Sequence, residues 1–232
     1  MNAFAYNDKS VIALNPHAFV RLQAWLSPAF PTGGFAYSHG LEQAYECGRI
    51  NSVDELTQWL KGILHNGAGR SDAIICAHSW KAHADHFQLS EIASLCEAMA
   101  SSSERHLETM AQGDAFLQAV QVWDKSIDLN GGFQKPLSVA VGAIGARIES
   151  PIIATVTAFL QAFMSALIQA AQRLGQIGQK AGVQILSTLE PDIIQTANIA
   201  ASAPLSEVGG SVFMSDIMSM QHETQHSRIF RS

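Results

Sequence analysis

Two histidines near the end of the sequence have the spacing of a metal-binding pair. His222-Glu223-Thr-Gln-His226 matches H-E-x-x-H, which on a helix places two imidazoles one turn apart with a glutamate as general base. Read alone, the motif predicts a zinc metallopeptidase. A catalytic zinc takes three protein ligands, however, and the six residues after His226 include no His, Asp or Glu. His222 and His226 are therefore weak metal candidates, and the peptidase is the alternative function.

The segment that carries these histidines also has the composition of a docking element. Phe213, Ile217 and Met220 recur at helical spacing, residues 221–228 are polar, and Phe230 follows between arginines. We expect residues 213–232 to bury little surface against their own domain and to order on a partner, with Phe230 as anchor and the arginines paired with carboxylates. The alternative is a frayed terminus.

A second unusual stretch lies at residues 25–44, where two prolines and three glycines stand among aromatic residues. Pro28 and Pro31 favour extended backbone before them and end a preceding helix. The glycine pair at 33–34 permits a turn with positive φ or the close approach of another backbone, and Ser38 can cap the next helix. The stretch is either a plain helix connection or a surface where a partner lies close.

The rest of the sequence predicts an all-α protein, because its β-branched residues fall at helical spacing. We expect a single-domain bundle of roughly eight to ten helices over residues 17–212, after a flexible segment at 1–16 and before the docking tail at 213–232. Serines at 52, 71 and 90 are expected to begin helices, the first through a capping box with Glu55. Gly113, inside a helix over 103–123, predicts close packing, and Pro191 is expected to open a new helix.

Residues 151–172 carry no charge and are long enough to cross a bilayer. Their polar residues, Thr157, Gln161, Ser165, Gln169 and Gln172, nevertheless fall on one narrow stripe of a helix. Glutamines are costly in lipid without partners, so we expect a central bundle helix and a candidate dimer surface. A membrane-anchored protein is the remaining alternative, and our prediction is that no membrane is involved.

Composition restricts the function further. The 232 residues are 47% hydrophobic and carry a net charge of −6 without a basic block, which argues against nucleic acid as a partner. The three cysteines are far apart, which argues against a disulfide framework or thiolate zinc site and favours small buried side chains. No secretory signal is visible, so a reducing cytoplasm is expected.

Three segments carry a resemblance to a known family. SPAFPTGGFAYSHGLEQAYECG at 27–48 and MQHETQHSRIFRS at 220–232 resemble the signature and the closing segment of the UreF family, urease accessory proteins that take part in loading nickel into urease. RLGQIGQ at 173–179 resembles a third family segment. The family commonly has tyrosine where this sequence has His226, so that histidine is a departure.

The resemblance implies a non-enzymatic helical homodimer with three kinds of partner: the scaffold accessory protein UreD (also called UreH), the nickel-binding GTPase UreG, and urease apoprotein. Nickel and GTP would then act through partners, with no cofactor bound tightly to this chain. The residues implied to contact partners are Pro28, Pro31, Gly33, Gly34, Phe35, Tyr37, Ser38, His39, Gly40, Glu42, Arg173, Gln176, Gln179, Met220, His222, Glu223, Gln225, Ser227, Arg228, Phe230 and Arg231.

Overall fold

A computed structural model describes residues 15–127 and 135–231, and within these ranges the chain is all-α, as predicted. The flexible segment expected at 1–16 lies almost wholly outside the described residues. The helices are α1 (Pro16–Trp25), α2 (Leu41–Glu46), α3 (Val53–Asn66), α4 (Ala68–Lys81), α5 (His86–Ala98), α6 (Ser103–Trp123), α7 (Leu137–Arg147), α8 (Ile152–Arg173), α9 (Gln179–Ser202) and α10 (Phe213–His222). Short 3₁₀ turns occupy Gly34–Ala36 and Leu205–Glu207.

Side-chain caps begin several of these helices. Half of the predicted capping box is present: the Ser52 hydroxyl accepts the Glu55 N–H at 3.1 Å, but the Glu55 carboxylate accepts the N–H of Asn51, one residue before the cap, at 2.6 Å. The caps expected at Ser71 and Ser90 are wrong. Ser71 lies inside α4 and its hydroxyl donates to the Gly209 carbonyl at 3.0 Å, whereas α5 begins four residues before Ser90 because Asp85 caps it.

Pro191 does not open a new helix, because α9 continues through it without a break. The proline removes one backbone donor, but the buried stripe of Leu189 and Ile193 continues across it. A side-chain link to α3 holds the next turn: His65 Nε2 lies 2.8 Å from Asp192 Oδ1. Packing and this link outweigh the missing hydrogen bond.

Helices α4, α7, α8 and α9 form the centre of the bundle around the main apolar core, and a smaller apolar cluster joins α5 to α4 and α7. The close approach predicted at Gly113 is confirmed, since a Cβ there would lie 1.9 Å from the Lys135 carbonyl oxygen. Gly142 does the same for α7 against α4, where a Cβ would lie 2.1 Å from the Cys76 carbonyl oxygen. Glycine thus lets backbones touch at both crossings.

Helix α8 packs as the central helix that the sequence predicted. It contacts α9, α4 and α7, and Val156, Leu160 and Met164 are buried in the core. Among the described helices it is also the only one long and apolar enough to cross a membrane. Its polar stripe lies on the outer side, where Gln161 donates to the Ser165 hydroxyl at 3.0 Å.

Candidate functional site

Three helix ends meet at one buried histidine. His222, the last residue of α10, is fully buried between Glu42 in the first turn of α2 and Glu104 in the first turn of α6. Its Nδ1 lies 2.7 Å from Glu104 Oε2, and its Nε2 lies 3.1 Å from Glu42 Oε2. Residues far apart in sequence therefore form one polar cluster, which we call the histidine cluster.

The residues after α10 fold back onto the same two glutamates. Glu42 accepts the backbone N–H groups of Ile229 and Phe230 at 2.7 and 2.9 Å, and Arg228 donates to Glu104 Oε1 at 2.7 Å. The Phe230 side chain is only 4% exposed and belongs to the main core. The expectation that this tail buries little against its own domain is therefore wrong, because two carboxylates satisfy its polar groups.

The third family-like segment, residues 173–179, contacts the same site through Arg173. Its guanidinium donates to the Phe35 carbonyl and lies 4.5 Å from the centroid of the Phe230 ring, a cation–π contact. Partial burial lowers the pKa of Arg173 from its ordinary value, although a guanidinium remains charged in proteins. The backbone N–H of Arg231 donates to the Ala36 carbonyl at 2.8 Å. All three segments singled out in the sequence are thus in contact.

Glycine geometry makes this arrangement possible. Gly33 and Gly40 have φ values of 75° and 76°, a region that glycine enters without strain. A Cβ at Gly40 would lie 2.8 Å from the backbone nitrogen of Ser219, so α10 packs directly against this glycine. Gly40 precedes the first residue of α2, and the Ser38 hydroxyl, the expected cap, accepts the Glu42 N–H at 3.3 Å.

A second buried charged cluster lies beside the first, along α6. Arg105 bridges two carboxylates, with 2.7 Å to Glu108 Oε2 and 3.3 Å to Asp72 Oδ2, and His39 Nδ1 lies 3.7 Å from Glu108 Oε2. Burial opposes the charge of Glu108, but Arg105 and His39 outweigh it and lower the pKa of Glu108 to about 2.

The neighbouring groups respond differently to the same burial. Burial, aided by the charge of Arg105, lowers the pKa of His39 despite the nearby carboxylates, and burial raises the pKa of Asp72 against the opposing effect of Arg105. For Arg105 burial acts against the charge, but Glu108 and Asp72 prevail and raise its pKa. The Arg105 guanidinium and the Glu108 carboxylate are therefore the two groups of this cluster whose charged forms are favoured.

Above this cluster opens a cleft of about 730 Å³. Its walls are α1, the turn over residues 27–35 and the outer side of α8, and Arg105 and Glu108 contribute to its floor. Phe35 stands at the rim with 72% of its surface exposed. The cleft is mostly apolar, so it is suited to receiving hydrophobic side chains.

The predicted contact residues divide by exposure. Those that reach the surface are Pro28, Pro31, Phe35, Arg173, Gln176, Gln179, Met220, Glu223, Ser227, Arg228 and Arg231. Those that are buried are Tyr37, Ser38, His39, Gly40, Glu42, His222 and Phe230, with Gly33, Gly34 and Gln225 between the two groups. The buried residues shape the site, and only the exposed ones are available to a partner. Sequence reasoning missed Asp72 and the roles of Glu104, Arg105 and Glu108, which only their ion pairs reveal.

The H-E-x-x-H pattern does not form a zinc site. Helix α10 ends at His222, so the exposed His226 does not lie one helical turn from it. Both nitrogens of His222 face carboxylates, and Glu223 accepts the Ser103 N–H at 2.8 Å. No group of three His, Cys, Asp or Glu side chains within residues 15–127 and 135–231 is arranged to hold a metal ion.

The cysteines follow the prediction in two of three cases. Cys76 and Cys96 are buried, and burial raises the pKa of Cys96 to about 12. Cys47 is exposed, because it lies just beyond the end of α2.

Comparison with known proteins gives a consistent result. A family model described as UreF matches residues 50–190. Urease accessory protein UreF 1 of Brucella anthropi is 44% identical over 215 residues, covering 93% of this chain and 94% of the relative. Urease accessory protein UreF of Mesorhizobium japonicum is 45% identical, with 93% and 96% covered, and that of Brucella ovis is 45% identical, with 93% and 94% covered.

Proposed function

The chain belongs to the UreF family of urease accessory proteins, and we propose that it is a non-catalytic assembly factor that bridges other proteins to urease apoprotein during nickel insertion. The observation that carries the proposal is the contact among the three family-like segments at one buried histidine cluster. The contacts among the three segments fix the shape of the surface that they share. They also bury the histidine and both carboxylates, so a substrate cannot reach them for acid–base chemistry.

The surface built on the cluster consists of Phe35, Arg173, Arg228, Ile229 and Arg231, and we call it the junction surface. Phe35 and Ile229 expose 72% and 69% of their area, so the surface joins large apolar side chains to arginines. Arginines beside aromatic and aliphatic anchors are typical of binding hot spots. The chain as a whole carries a net charge of −6, so this local excess of arginine favours a partner rich in carboxylates.

We assign the junction surface to the scaffold accessory protein UreD (UreH). The segment Arg173–Gln179, which begins at this surface and continues to the start of α9, is assigned to the GTPase UreG. Nickel and GTP then act through these partners and urease apoprotein receives the metal, in the cytoplasm.

The homodimer is assigned to the cleft between α1 and α8. Ala158 and Ala162 line it beside the polar stripe of α8, so that small side chains would let a second copy approach closely. Ala162→Arg should convert the dimer to monomer in light scattering at micromolar concentration. Gln184→Arg on the exposed side of α9 is the matched control, and a dimer that survives Ala162→Arg would contradict this assignment.

The proposed function is tested by restoring urease activity in cells that express the urease operon without this gene. The intact chain should restore activity and Ile229→Asp should not, because the substitution places a charge at the centre of the junction surface. Ile199→Asp is the control, since Ile199 is 45% exposed on α9, away from that surface. Both variants should keep the thermal stability of the parent, and co-purification with the scaffold protein should follow activity.

Either of two results would contradict the proposal. Full urease activity in the deletion strain would remove the maturation role. Full rescue and co-purification by Ile229→Asp would leave the role but remove the junction surface as its site.

A further inference from the structure

Glu223, the glutamate of the H-E-x-x-H pattern, reaches from the end of α10 to the start of another helix. It directly follows the last residue of α10, and its Oε1 accepts the backbone N–H of Ser103 at 2.8 Å. Ser103 is the first residue of α6, so its N–H has no partner within that helix. The partial positive charge of the helix N-terminus also favours a carboxylate there. Glu223 therefore completes the cap of a helix that begins 120 residues earlier in the chain.

The start of α6, residues 102–104, binds the end of α10 through its other residues as well. The hydroxyl of Ser102 accepts an N–H of the first turn of α6 at 3.1 Å and lies 2.7 Å from the hydroxyl of Ser219. Glu104 accepts Arg228 at 2.7 Å, as part of the histidine cluster. Three consecutive residues of α6 thus hold the end of α10 and the chain that follows it.

Within that chain, Glu223 makes the contact that ties the turn after α10 to another element. In the described structure, the side-chain hydrogen bonds of Thr224 and Gln225 stay within residues 221–227, at 3.1 and 3.0 Å, whereas that of Glu223 reaches α6. The chain then arrives at the junction surface with Arg228 and Ile229. The direction in which it leaves α10 therefore depends on Glu223.

We propose that Glu223 is a positioning residue: by accepting the Ser103 N–H it holds the C-terminal segment, residues 223–231, in place and so sets where the junction surface lies. It acts through α6 and not by touching a partner. Its task needs a side-chain oxygen, which glutamine keeps and alanine lacks. The consequence for partner binding rests on the proposed function, whereas the position of the segment is measured on this protein alone.

Ser103 allows the donor of this hydrogen bond to be removed by itself. Proline is well suited to the first position of a helix, because the helix does not use the N–H there. The residue before a proline must be extended, and Ser102 already is, with φ −148° and ψ 162°. The Ser103 side chain is exposed. Ser103→Pro therefore deletes the N–H that Glu223 accepts and leaves α6 able to form.

Trypsin cleavage after Arg228 measures release of the segment, because cleavage follows the population of the locally opened state. The rate, followed by mass spectrometry, is divided by that of a synthetic peptide of residues 221–232 with the same sequence. Loss of a side-chain cap typically shifts an equilibrium about fivefold, so Glu223→Ala and Ser103→Pro should each raise the relative rate by about that factor. The double variant should be cleaved no faster than either single variant, because both remove the same bond.

Two further variants show whether the oxygen of Glu223 is what matters. Glu223→Gln should remain within about twofold of the parent, since it loses only the attraction of a charge to the helix N-terminus. A general base, by contrast, would be lost in this variant. His226→Gln changes the exposed histidine at the other end of the pattern, and it is the matched control that should leave the rate unchanged.

Co-purification with the scaffold protein separates positioning from direct contact. Glu223→Ala and Ser103→Pro should both weaken it, and Glu223→Gln should restore it. If only Glu223→Ala weakens it, Glu223 binds the partner itself and the inference is overturned. Cleavage of either single variant at the parental rate, or effects that add in the double variant, would also overturn it. Faster cleavage of both variants with unchanged co-purification would uphold the role of Glu223 in placing the segment and refute the junction surface of the proposed function.

Discussion

Replacing Gly40 with alanine tests whether α10 packs directly against the backbone of this glycine. Its φ of 76° places any other residue in the left-handed region, at a cost of about 1–2 kcal/mol. The added Cβ would lie 2.8 Å from the Ser219 nitrogen and 3.2 Å from the Met218 carbonyl carbon, and such overpacking against backbone costs about 1–3 kcal/mol. We therefore expect Gly40→Ala to lower the free energy of unfolding by about 2–5 kcal/mol.

Gly33→Ala is the matched control for this substitution. Gly33 has nearly the same φ, 75°, but a Cβ there meets nothing within 4 Å, so its cost should be the backbone strain of about 1–2 kcal/mol alone. Urea unfolding of the two variants measures the difference, and melting temperature gives a second measure at roughly 2–4 °C per kcal/mol for a chain of this size. Equal losses in the two variants would refute the contact between Gly40 and α10.

Three further predictions concern the remaining buried features. Glu108→Gln should destabilise the protein at neutral pH by about 3 kcal/mol, because it leaves Arg105 with one carboxylate fewer. The folded pKa of Glu108 lies near 2, so the stabilisation that its carboxylate provides is present at neutral pH and is lost as pH falls from about 4.5 towards 2. The free energy of unfolding of the variant, which lacks this carboxylate, should therefore depend less on pH in that range. Identical acid-unfolding profiles of the variant and the parent would contradict this. Gly113→Ala should destabilise the protein strongly, because its Cβ would lie 1.9 Å from a backbone carbonyl oxygen. Gly62→Ala is the control: its Cβ would have its nearest neighbour at 3.9 Å, and the variant should gain up to about 1 kcal/mol of stability from helix propensity. Equal melting temperatures of the two variants would argue against the tight crossing at Gly113. In native protein, iodoacetamide should label Cys47 alone, as mass spectrometry would detect, and labelling of a buried cysteine at the same rate would contradict the packing.

The helices were predictable because their signals are local. Apolar spacing and the Ser52 cap lie within a few residues of the structure they specify, and the helix expected over 103–123 is α6 within the described chain. The cap expected at Ser90 is wrong because the nearby Asp85 caps that helix, whereas two other errors come from partners that are distant in sequence. Ser71 has capping chemistry, but its hydroxyl bonds to Gly209, and Pro191 has breaking chemistry, but the adjoining turn is held by His65.

The candidate site shows the same limit more strongly. Its segments were identified by resemblance, whereas their contacts could not be read from local pattern, because Phe230 and the Glu42 that binds its N–H are 188 residues apart. When only its own residues are considered, a polar tail is predicted to bury little surface against its domain. It docks here with Phe230 buried because two glutamates on other helices accept its donors, and nothing in the spacing of the tail indicates them.

Removing the tail is therefore an ambiguous test of docking, and a pair of single substitutions separates its two roles. Loss of residues 221–232 removes contact residues, but it also removes the donors that neutralise Glu42 and Glu104. Phe230→Ala should cost about 3–5 kcal/mol of stability because its ring is 4% exposed in the core, whereas Ile229→Asp should cost little because that side chain is 69% exposed. If Ile229→Asp abolishes urease activation without changing the urea midpoint, the tail contacts a partner. If only Phe230→Ala abolishes activation, in proportion to its loss of stability, the tail serves the fold and the junction surface has no direct role.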